Sequence, residues 1–186
     1  MNIQNNYKQA IDEMLEELSK KIPDEHRKEP VEAYIAGGAA VHLLTEVRVS
    51  DDLDIALSHA LQIPNDLSVL WFDDEGYVQT LTFDNNYNQT LGIMHHDYVD
   101  RLIPYKNIED KFKIYVLSPI DLIISKISRF NDKDREDIKS LIEKSNIHKN
   151  ELRLLASMAI NECAACRPET LMVHLDLILE MFVDGI

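Results

Sequence analysis

The stretch of sequence that decides the fold is YIAGGAAVHLLTEVRVSDDLDIAL, residues 34–57, in which a Gly-Gly pair precedes an Asp-Leu-Asp. We predict a strand over residues 52–57. Successive side chains of a strand point to opposite faces, so Asp52 and Asp54 should lie on one face and the apolar residues between and after them on the other. The pattern therefore places two carboxylates side by side on a rigid element.

Two neighbouring carboxylates repel each other unless one is protonated or a cation lies between them. A divalent metal ion is the usual solution. The Gly37-Gly38 pair lies between a predicted strand, residues 33–36, and a predicted helix, residues 39–45. Free backbone N–H groups at such a turn, together with a helix N-terminus, suit a phosphate. The stretch therefore predicts a combined metal and phosphate site.

This order of motifs resembles that of the nucleotidyltransferase (polymerase beta-like) superfamily, with matching positions at Gly37, Gly38, Asp52 and Asp54. A second stretch, SPIDLIISKISRFNDKDREDIKSLI, resembles the helical part of small bacterial nucleotidyltransferases of unknown function. It is more distantly similar to the toxin half of abortive-infection type IV toxin-antitoxin systems. The resemblance implies an enzyme that transfers a nucleoside monophosphate from an NTP to an acceptor hydroxyl.

The resemblance also implies roles for individual residues. Asp52 and Asp54 would hold Mg²⁺ or Mn²⁺, and the backbone of Gly37 and Gly38, with Ser50, would bind the triphosphate. The acceptor stays open between RNA, a protein side chain and a small molecule. Positioning and electrostatics would supply most of the rate.

Many members of this superfamily carry a third carboxylate on a later strand, which shares the metal or takes the proton of the attacking hydroxyl. We predict Asp97 for this role, because it follows a predicted strand at residues 90–94. Asp84 and Asp100 are weaker candidates. The two histidines before Asp97 could join it as metal ligands, but adjacent side chains on extended backbone point in opposite directions. We therefore expect surface or loop histidines there.

A basic helix is the next predicted part of the site. Ser118 as N-cap, followed by proline, predicts a helix start, and Lys126 and Arg129 are neighbours on that helix. Their charges either solvate the helix or bind phosphate. The type IV toxins have a functional Lys on this helix and an Asp on the next, which favours phosphate contact by Lys126 and a role for Asp137, or else Asp134.

The charge of the chain limits its partners. The net charge is −14, which argues against nucleic acid, because phosphate backbones are bound by Lys and Arg. Residues 101–153 are net positive, with 12 basic and 9 acidic side chains, so an anionic substrate should approach there. A solvated helical face is the plainer interpretation of this segment.

The sequence has no apolar run long enough to span a membrane, and residues 1–13 lack an export signal pattern. We therefore expect a cytoplasmic protein with no membrane partner. Cys163 and Cys166 form a Cys-Ala-Ala-Cys spacing within a helical pattern. We expect two reduced thiols on that helix rather than a zinc or redox site.

The predicted fold class is α/β (α+β), a nucleotidyltransferase-like mixed β-sheet with flanking helices and a C-terminal helical bundle. Residues 1–117 would form the catalytic core with an N-terminal helix, and residues 118–186 a helical region packed on it. Further strands are predicted at residues 68–72, 77–83 and 112–117. The expected partners are an NTP and a cognate protein or a second copy of the chain.

Two alternatives to an active enzyme remain open. A nucleotidyltransferase fold that has lost a metal ligand would be a non-catalytic module that binds a nucleotide or a partner. Alternatively, Asp52 and Asp54 could be structural groups that cap the chain locally or pair with Arg48, because perturbed carboxylates are sometimes only ion pairs.

Overall fold

The computed structural model describes residues 3–59, 61, 67–84, 93–164 and 166–182. The helices in this part of the chain are α1 (Tyr7–Ser19), α2 (Gly37–Thr45), α3 (Pro119–Lys126), α4 (Asp132–Lys144), α5 (Lys149–Glu162) and α6 (Pro168–Glu180). The strands are β1 (Val31–Ile35), β2 (Asp52–Leu57), β3 (Ser68–Phe72), β4 (Val78–Asp84), β5 (Ile103–Ile108) and β6 (Phe112–Val116).

The strands form one sheet in the order β3-β4-β2-β1-β6-β5. The two central strands, β1 and β2, are antiparallel to each other. Each has a parallel partner on its outer side, β6 for β1 and β4 for β2. The two edge strands are antiparallel to their neighbours. This mixed sheet with flanking helices and a helical C-terminal region confirms the predicted fold class.

Local sequence explains where the main helices begin. The Asn6 side chain accepts a hydrogen bond from the first turn of α1, and the Ser118 hydroxyl accepts one from Asp121 N at the start of α3. Asn131 and Asp134 form a reciprocal capping box at the start of α4. Helix α2 contacts β2, α3 and α4. It therefore connects the strand that carries the Asp-Leu-Asp sequence with the helices that carry the predicted basic residues.

The strand predictions are mostly confirmed, with two exceptions. The strand predicted at residues 90–94 is not confirmed, and the outer neighbour of β4 is β3. Ile93 and Met94 are outside any strand, and residues 90–92 lie outside the described part of the chain. The edge strand β5 was not predicted. It contains Pro104, and its pairing with β6 is irregular between Pro104 and Lys106, so its sequence lacks a regular alternation.

The helical C-terminal region corrects one expectation. Helix α5 ends at Glu162, so Cys163 and Cys166 lie after the helix rather than on it. The structure joins them by a disulfide, and the expectation of two reduced thiols is wrong. Among the described residues, no helix combines the length and the apolar character needed to cross a membrane.

Candidate active site

The Asp-Leu-Asp sequence lies on β2 as predicted. Its apolar residues, Leu53 and Ile55, are buried on one face with 0% and 3% exposure. Asp52 is exposed and Asp54 half-buried on the opposite face. Burial of the apolar face fixes the register of the strand, so the packing of the core holds both carboxylates in place.

The neighbouring strand β4 supplies a third carboxylate. The parallel register pairs Asp52 with Thr82 and Asp54 with Asp84. The Thr82 hydroxyl donates a hydrogen bond to Asp52 Oδ1 at 2.7 Å, which shows that the side chains of these two strands share one face. Asp84 therefore stands beside Asp54 on the face that carries Asp52.

Asp97 is predicted for this third position, but among the described residues it lies at the start of a 3-10 helix and not at the end of a strand. The predicted strand before Asp97 would end at Met94, and Met94 is not in a strand. Asp97 instead begins a short 3-10 turn, and its carboxylate lies 3.1 Å from His96 Nε2. The carboxylate opposite Asp54 is Asp84, which sequence reasoning ranked lower because the β2–β4 pairing is not visible in local patterns.

The Gly-Gly pair lies directly against Asp54. Gly37 has a φ of +59°, and a Cβ there would overlap Asp54 Oδ2. A Cβ at Gly38 would lie 2.9 Å from Ser50 Cβ and 3.0 Å from Ser50 Oγ. Both glycines are therefore required, Gly37 also by its backbone conformation, and the predicted residues Gly37, Gly38, Ser50 and Asp54 come together.

The first turn of α2 adds donors to this place. The N-cap of α2 is Ala36, and no side chain among the described residues caps the helix. The first N–H groups of a helix have no partner within it, and the helix dipole favours an anion at this end. The residues around Gly37 and Gly38 thus offer hydrogen-bond donors beside a group of carboxylates.

The electrostatics of Asp54 show that the charge of this carboxylate is not fully compensated by the protein. Burial, followed by repulsion from Asp84 and Asp52, raises the pKa of Asp54 from 3.8 to about 6. The charges of Lys126 and Arg129 oppose this shift. Among the described residues neither Asp52 nor Asp54 has an ion-pair partner. Lys126 and Arg129 cancel only part of the repulsion between the carboxylates, and a bound cation would remove the rest.

The donor set on this face fits Mg²⁺ or Mn²⁺. These ions prefer carboxylate oxygens, and Mg²⁺ is commonly bound by one or two protein carboxylates together with substrate phosphates. Asp52, Asp54 and Asp84 supply the carboxylates, and the first turn of α2, which no side chain among the described residues caps, supplies N–H donors for the phosphates.

A second cluster lies between α3 and α4 and contains the predicted basic residues, of which Lys126 ends α3 and Arg129 lies in the following turn, not on the helix as predicted. Lys126 Nζ lies 2.7 Å from Asp137 Oδ2 and 3.4 Å from Asp134 Oδ1. Arg129 donates two hydrogen bonds to Asp134, at 2.8 and 2.7 Å. The side chains of Lys126, Asp134 and Asp137 are 4%, 1% and 1% exposed, whereas that of Arg129 is 67% exposed.

The carboxylates of this cluster are fully compensated. Burial alone would raise the pKa of Asp134, but the hydrogen bonds from Arg129 and the charge of Lys126 outweigh it, so that the pKa is lowered. Asp137 is also the partner of Arg48, whose Nη1 lies 2.5 Å from Asp137 Oδ2. The alternative in which Arg48 pairs with Asp52 or Asp54 is therefore wrong.

The histidines before Asp97 differ from the expectation of surface residues pointing apart. His95 is 3% exposed, and its ring stacks on that of His96 with centroids 4.3 Å apart and planes 23° apart. Ligand atoms of His95, His96 and Asp97 lie within 4.8 Å of one another. However, ring nitrogens coordinate in the plane of the ring, so two nearly parallel stacked rings do not converge on one ion.

His96 has a simpler explanation in its carboxylate neighbours. Its Nδ1 lies 3.0 Å from Glu162 Oε2 and its Nε2 lies 3.1 Å from Asp97 Oδ2. The contact with Glu162 raises the pKa of His96. A protonated ring donates to both carboxylates, which accounts for the arrangement without a metal.

The mixed sheet, the glycine turn against a strand carboxylate and the paired acidic strands define a nucleotidyltransferase-like domain. Residues 9–181 match a family described as "nucleotidyltransferase of unknown function (DUF6036)". The chain belongs to this family. No curated protein matches it.

Proposed function

We propose that this protein is a metal-dependent enzyme that transfers a nucleoside monophosphate from an NTP to an acceptor hydroxyl. The observation that carries the proposal is the contact of Asp54 with Gly37, which joins a carboxylate of raised pKa to a helix N-terminus that no side chain among the described residues caps. A site for a divalent cation thereby adjoins a site for phosphates, and an NTP complexed with such a cation needs both.

Asp52 and Asp54 would hold Mg²⁺ or Mn²⁺, which when bound neutralises triphosphate charge. The N–H groups of the first turn of α2 donate to phosphate oxygens, and Ser50 lies within reach of the same turn. The exposed guanidinium of Arg129 and the charge of Lys126 offset the negative charge that grows on the leaving pyrophosphate. Each group acts by position and charge.

In the reaction the acceptor oxygen attacks the α-phosphorus in line. The new bond joins the acceptor oxygen to phosphorus, while the bond from the α-phosphorus to the bridging oxygen breaks and pyrophosphate leaves. Asp84, the carboxylate beside Asp54, is our candidate for the base that takes the hydroxyl proton.

Further parts of the proposal rest on the sequence. We propose that residues 1–117 form the catalytic core and that the helical region 118–186 contributes Lys126 and Arg129 to it. We also propose that the protein acts in the cytoplasm. The resemblance to type IV toxins supports control by a cognate partner protein, and the acidic net charge makes a protein or small-molecule acceptor a better candidate than bulk RNA.

The test is a label-transfer assay with each of the four NTPs, Mg²⁺ or Mn²⁺, and a cell extract as the source of acceptor. Label on the α-phosphate should appear on an acceptor, and label on the γ-phosphate should not. Asp54→Ala should lower transfer by about a hundredfold or more, since it removes transition-state charge stabilisation. Asp84→Asn should also lower transfer, whereas Asp97→Asn should retain it.

Failure to transfer label from any NTP, with no metal-dependent NTP binding, would overturn the proposal. Metal-dependent NTP binding without transfer would instead support the non-catalytic binding module. If Asp54→Ala only lowers the melting temperature and leaves metal affinity unchanged, the carboxylates are structural.

A further inference from the structure

We infer that Arg48 binds the phosphates of the nucleotide and that Asp137 positions it for this contact. The inference rests on the proposed function and extends it to a residue that no motif assigns. It also gives Asp137 a positioning role in place of direct contact with the nucleotide.

Arg48 lies in the loop between α2 and β2 and reaches back to the start of α2. Its Nη2 would be 3.2 Å from a Cβ on Gly38. Ser50 Oγ would be 3.0 Å from the same Cβ. The guanidinium and the Ser50 hydroxyl therefore both lie against Gly38 in the first turn of α2, a turn that no side chain among the described residues caps.

Two contacts hold the Arg48 residue in this position. Its Nη1 is paired with Asp137 Oδ2 at 2.5 Å, and the ring of His42 contacts its carbonyl oxygen through Nδ1 at 2.8 Å. Asp137 Oδ2 also accepts from Lys126 Nζ at 2.7 Å. One buried carboxylate oxygen thus fixes two cations relative to each other.

The burial of Asp137 decides its role. Its side chain is 1% exposed and already has two cationic partners, so it does not offer a free oxygen to a nucleotide or a metal. The Arg48 side chain is 28% exposed. A guanidinium has five N–H donors in a rigid fork that matches phosphate, so donors remain after the contact with Asp137.

The chemistry that this arrangement recognises is the β- and γ-phosphates of an NTP. The helix N-terminus contributes only partial positive charge, whereas Arg48 contributes a full charge at the same place. A nucleoside monophosphate lacks the two outer phosphates and should gain little from Arg48. Discrimination between NTP and NMP is therefore the property that Arg48 controls.

The test measures binding of each NTP, and of the matching NDP and NMP, by calorimetry in the presence of Mg²⁺. The proteins are the wild type, Arg48→Gln, Arg48→Lys and the control Arg153→Gln, which removes an exposed arginine from α5. Arg48→Gln should weaken NTP binding about tenfold to a hundredfold, the effect of losing a charge-assisted hydrogen bond. Binding of the NMP should stay within about twofold.

Arg48→Lys should fall between the wild type and Arg48→Gln, since it keeps the charge and loses the fork. Arg153→Gln should match the wild type, and thermal unfolding should show that each variant is folded. If Arg48→Gln does not fold, Arg48→Lys decides, and NTP affinity equal to that of the wild type overturns the inference.

The outcomes separate this inference from the proposed function. Wild-type NTP binding with unchanged binding by folded Arg48→Gln overturns the role of Arg48 and leaves the proposed function standing. Equal loss of NTP and NMP binding overturns the phosphate contact and assigns Arg48 a structural role. No NTP binding by the wild type overturns both proposals.

Discussion

The pKa values of carboxylates are shifted in opposite directions in two regions of the molecule. One is the strand face formed by Asp52, Asp54 and Asp84, and the other is the α3–α4 cluster around Lys126. On the strand face, burial and like charges raise the pKa of Asp54 to about 6. In the cluster, Arg129 and Lys126 lower the pKa of Asp134 although its side chain is 1% exposed. Both regions contain aspartates. Their pKa shifts differ because lysine and arginine side chains contact Asp134 directly, whereas Asp54 has no such contact among the described residues.

This difference separates a ligand site from a supporting site. A buried ion pair whose charges compensate each other within the protein needs no ligand, and only the loss of one partner leaves an uncompensated buried charge. Carboxylates that repel one another destabilise the folded protein, and a bound cation removes this repulsion. The strand face is therefore the part of the molecule that gains most from a ligand, and the cluster is the part that holds charge in place beside it.

The largest expected effect on stability comes from removing one carboxylate of the α3–α4 cluster. Asp137→Asn leaves Lys126, 4% exposed, with a longer contact of 3.4 Å to Asp134, and it removes the partner of Arg48. We expect a loss of about 3 kcal/mol in the free energy of unfolding, because breaking a buried ion pair leaves an uncompensated charge. Urea denaturation at neutral pH measures this change.

The matched control for that experiment is Glu143→Gln on the same helix. Glu143 is 58% exposed and lies 3.9 Å from Lys139, so its loss should change the unfolding free energy by less than about 0.5 kcal/mol. Equal effects for Asp137→Asn and Glu143→Gln would contradict the view that the cluster depends on buried compensation.

A smaller effect of opposite sign is expected on the strand face. Because the pKa of Asp54 is higher in the folded chain than its ordinary value of 3.8, the folded state binds the proton more tightly than the unfolded state. The Asp54 contribution to stability should therefore fall as the pH rises from about 4 to about 6, by on the order of 1–2 kcal/mol after allowance for solvent screening.

The difference in unfolding free energy between the wild type and Asp54→Asn isolates this contribution. Asp54→Asn should be the more stable protein at pH 7, and the two should converge near pH 4. Saturating Mg²⁺ should stabilise the wild type more than the variant, because the ion binds the folded carboxylates. A variant that is less stable than the wild type at pH 7 without metal would contradict repulsion on this face.

Local sequence was sufficient for the parts of the site that lie within one element or one turn. The alternation of Asp-Leu-Asp-Ile predicts which side chains share a face of β2, and the start of α3 at Ser118 follows from its capping residues. These features depend on backbone geometry over a few residues, and the structure agrees with both.

The parts that local sequence does not reach depend on contacts between distant residues. Asp84 joins the site only through the parallel pairing of β4 with β2, and Arg48 meets Asp137 across 89 residues of sequence. No periodicity encodes a strand register or a pairing of this kind. The Cys163–Cys166 disulfide was missed because the helical pattern of the sequence continues past Glu162, where α5 ends.

The most direct test of the account is a crystal structure with Mn²⁺ and a non-hydrolysable NTP analogue, in which anomalous scattering locates the metal. We predict Mn²⁺ about 2 Å from oxygens of both Asp52 and Asp54, with the triphosphate at the first turn of α2. Mn²⁺ bound elsewhere, for example at His95–Asp97, or a nucleotide bound away from Gly37 and Gly38, would contradict the account.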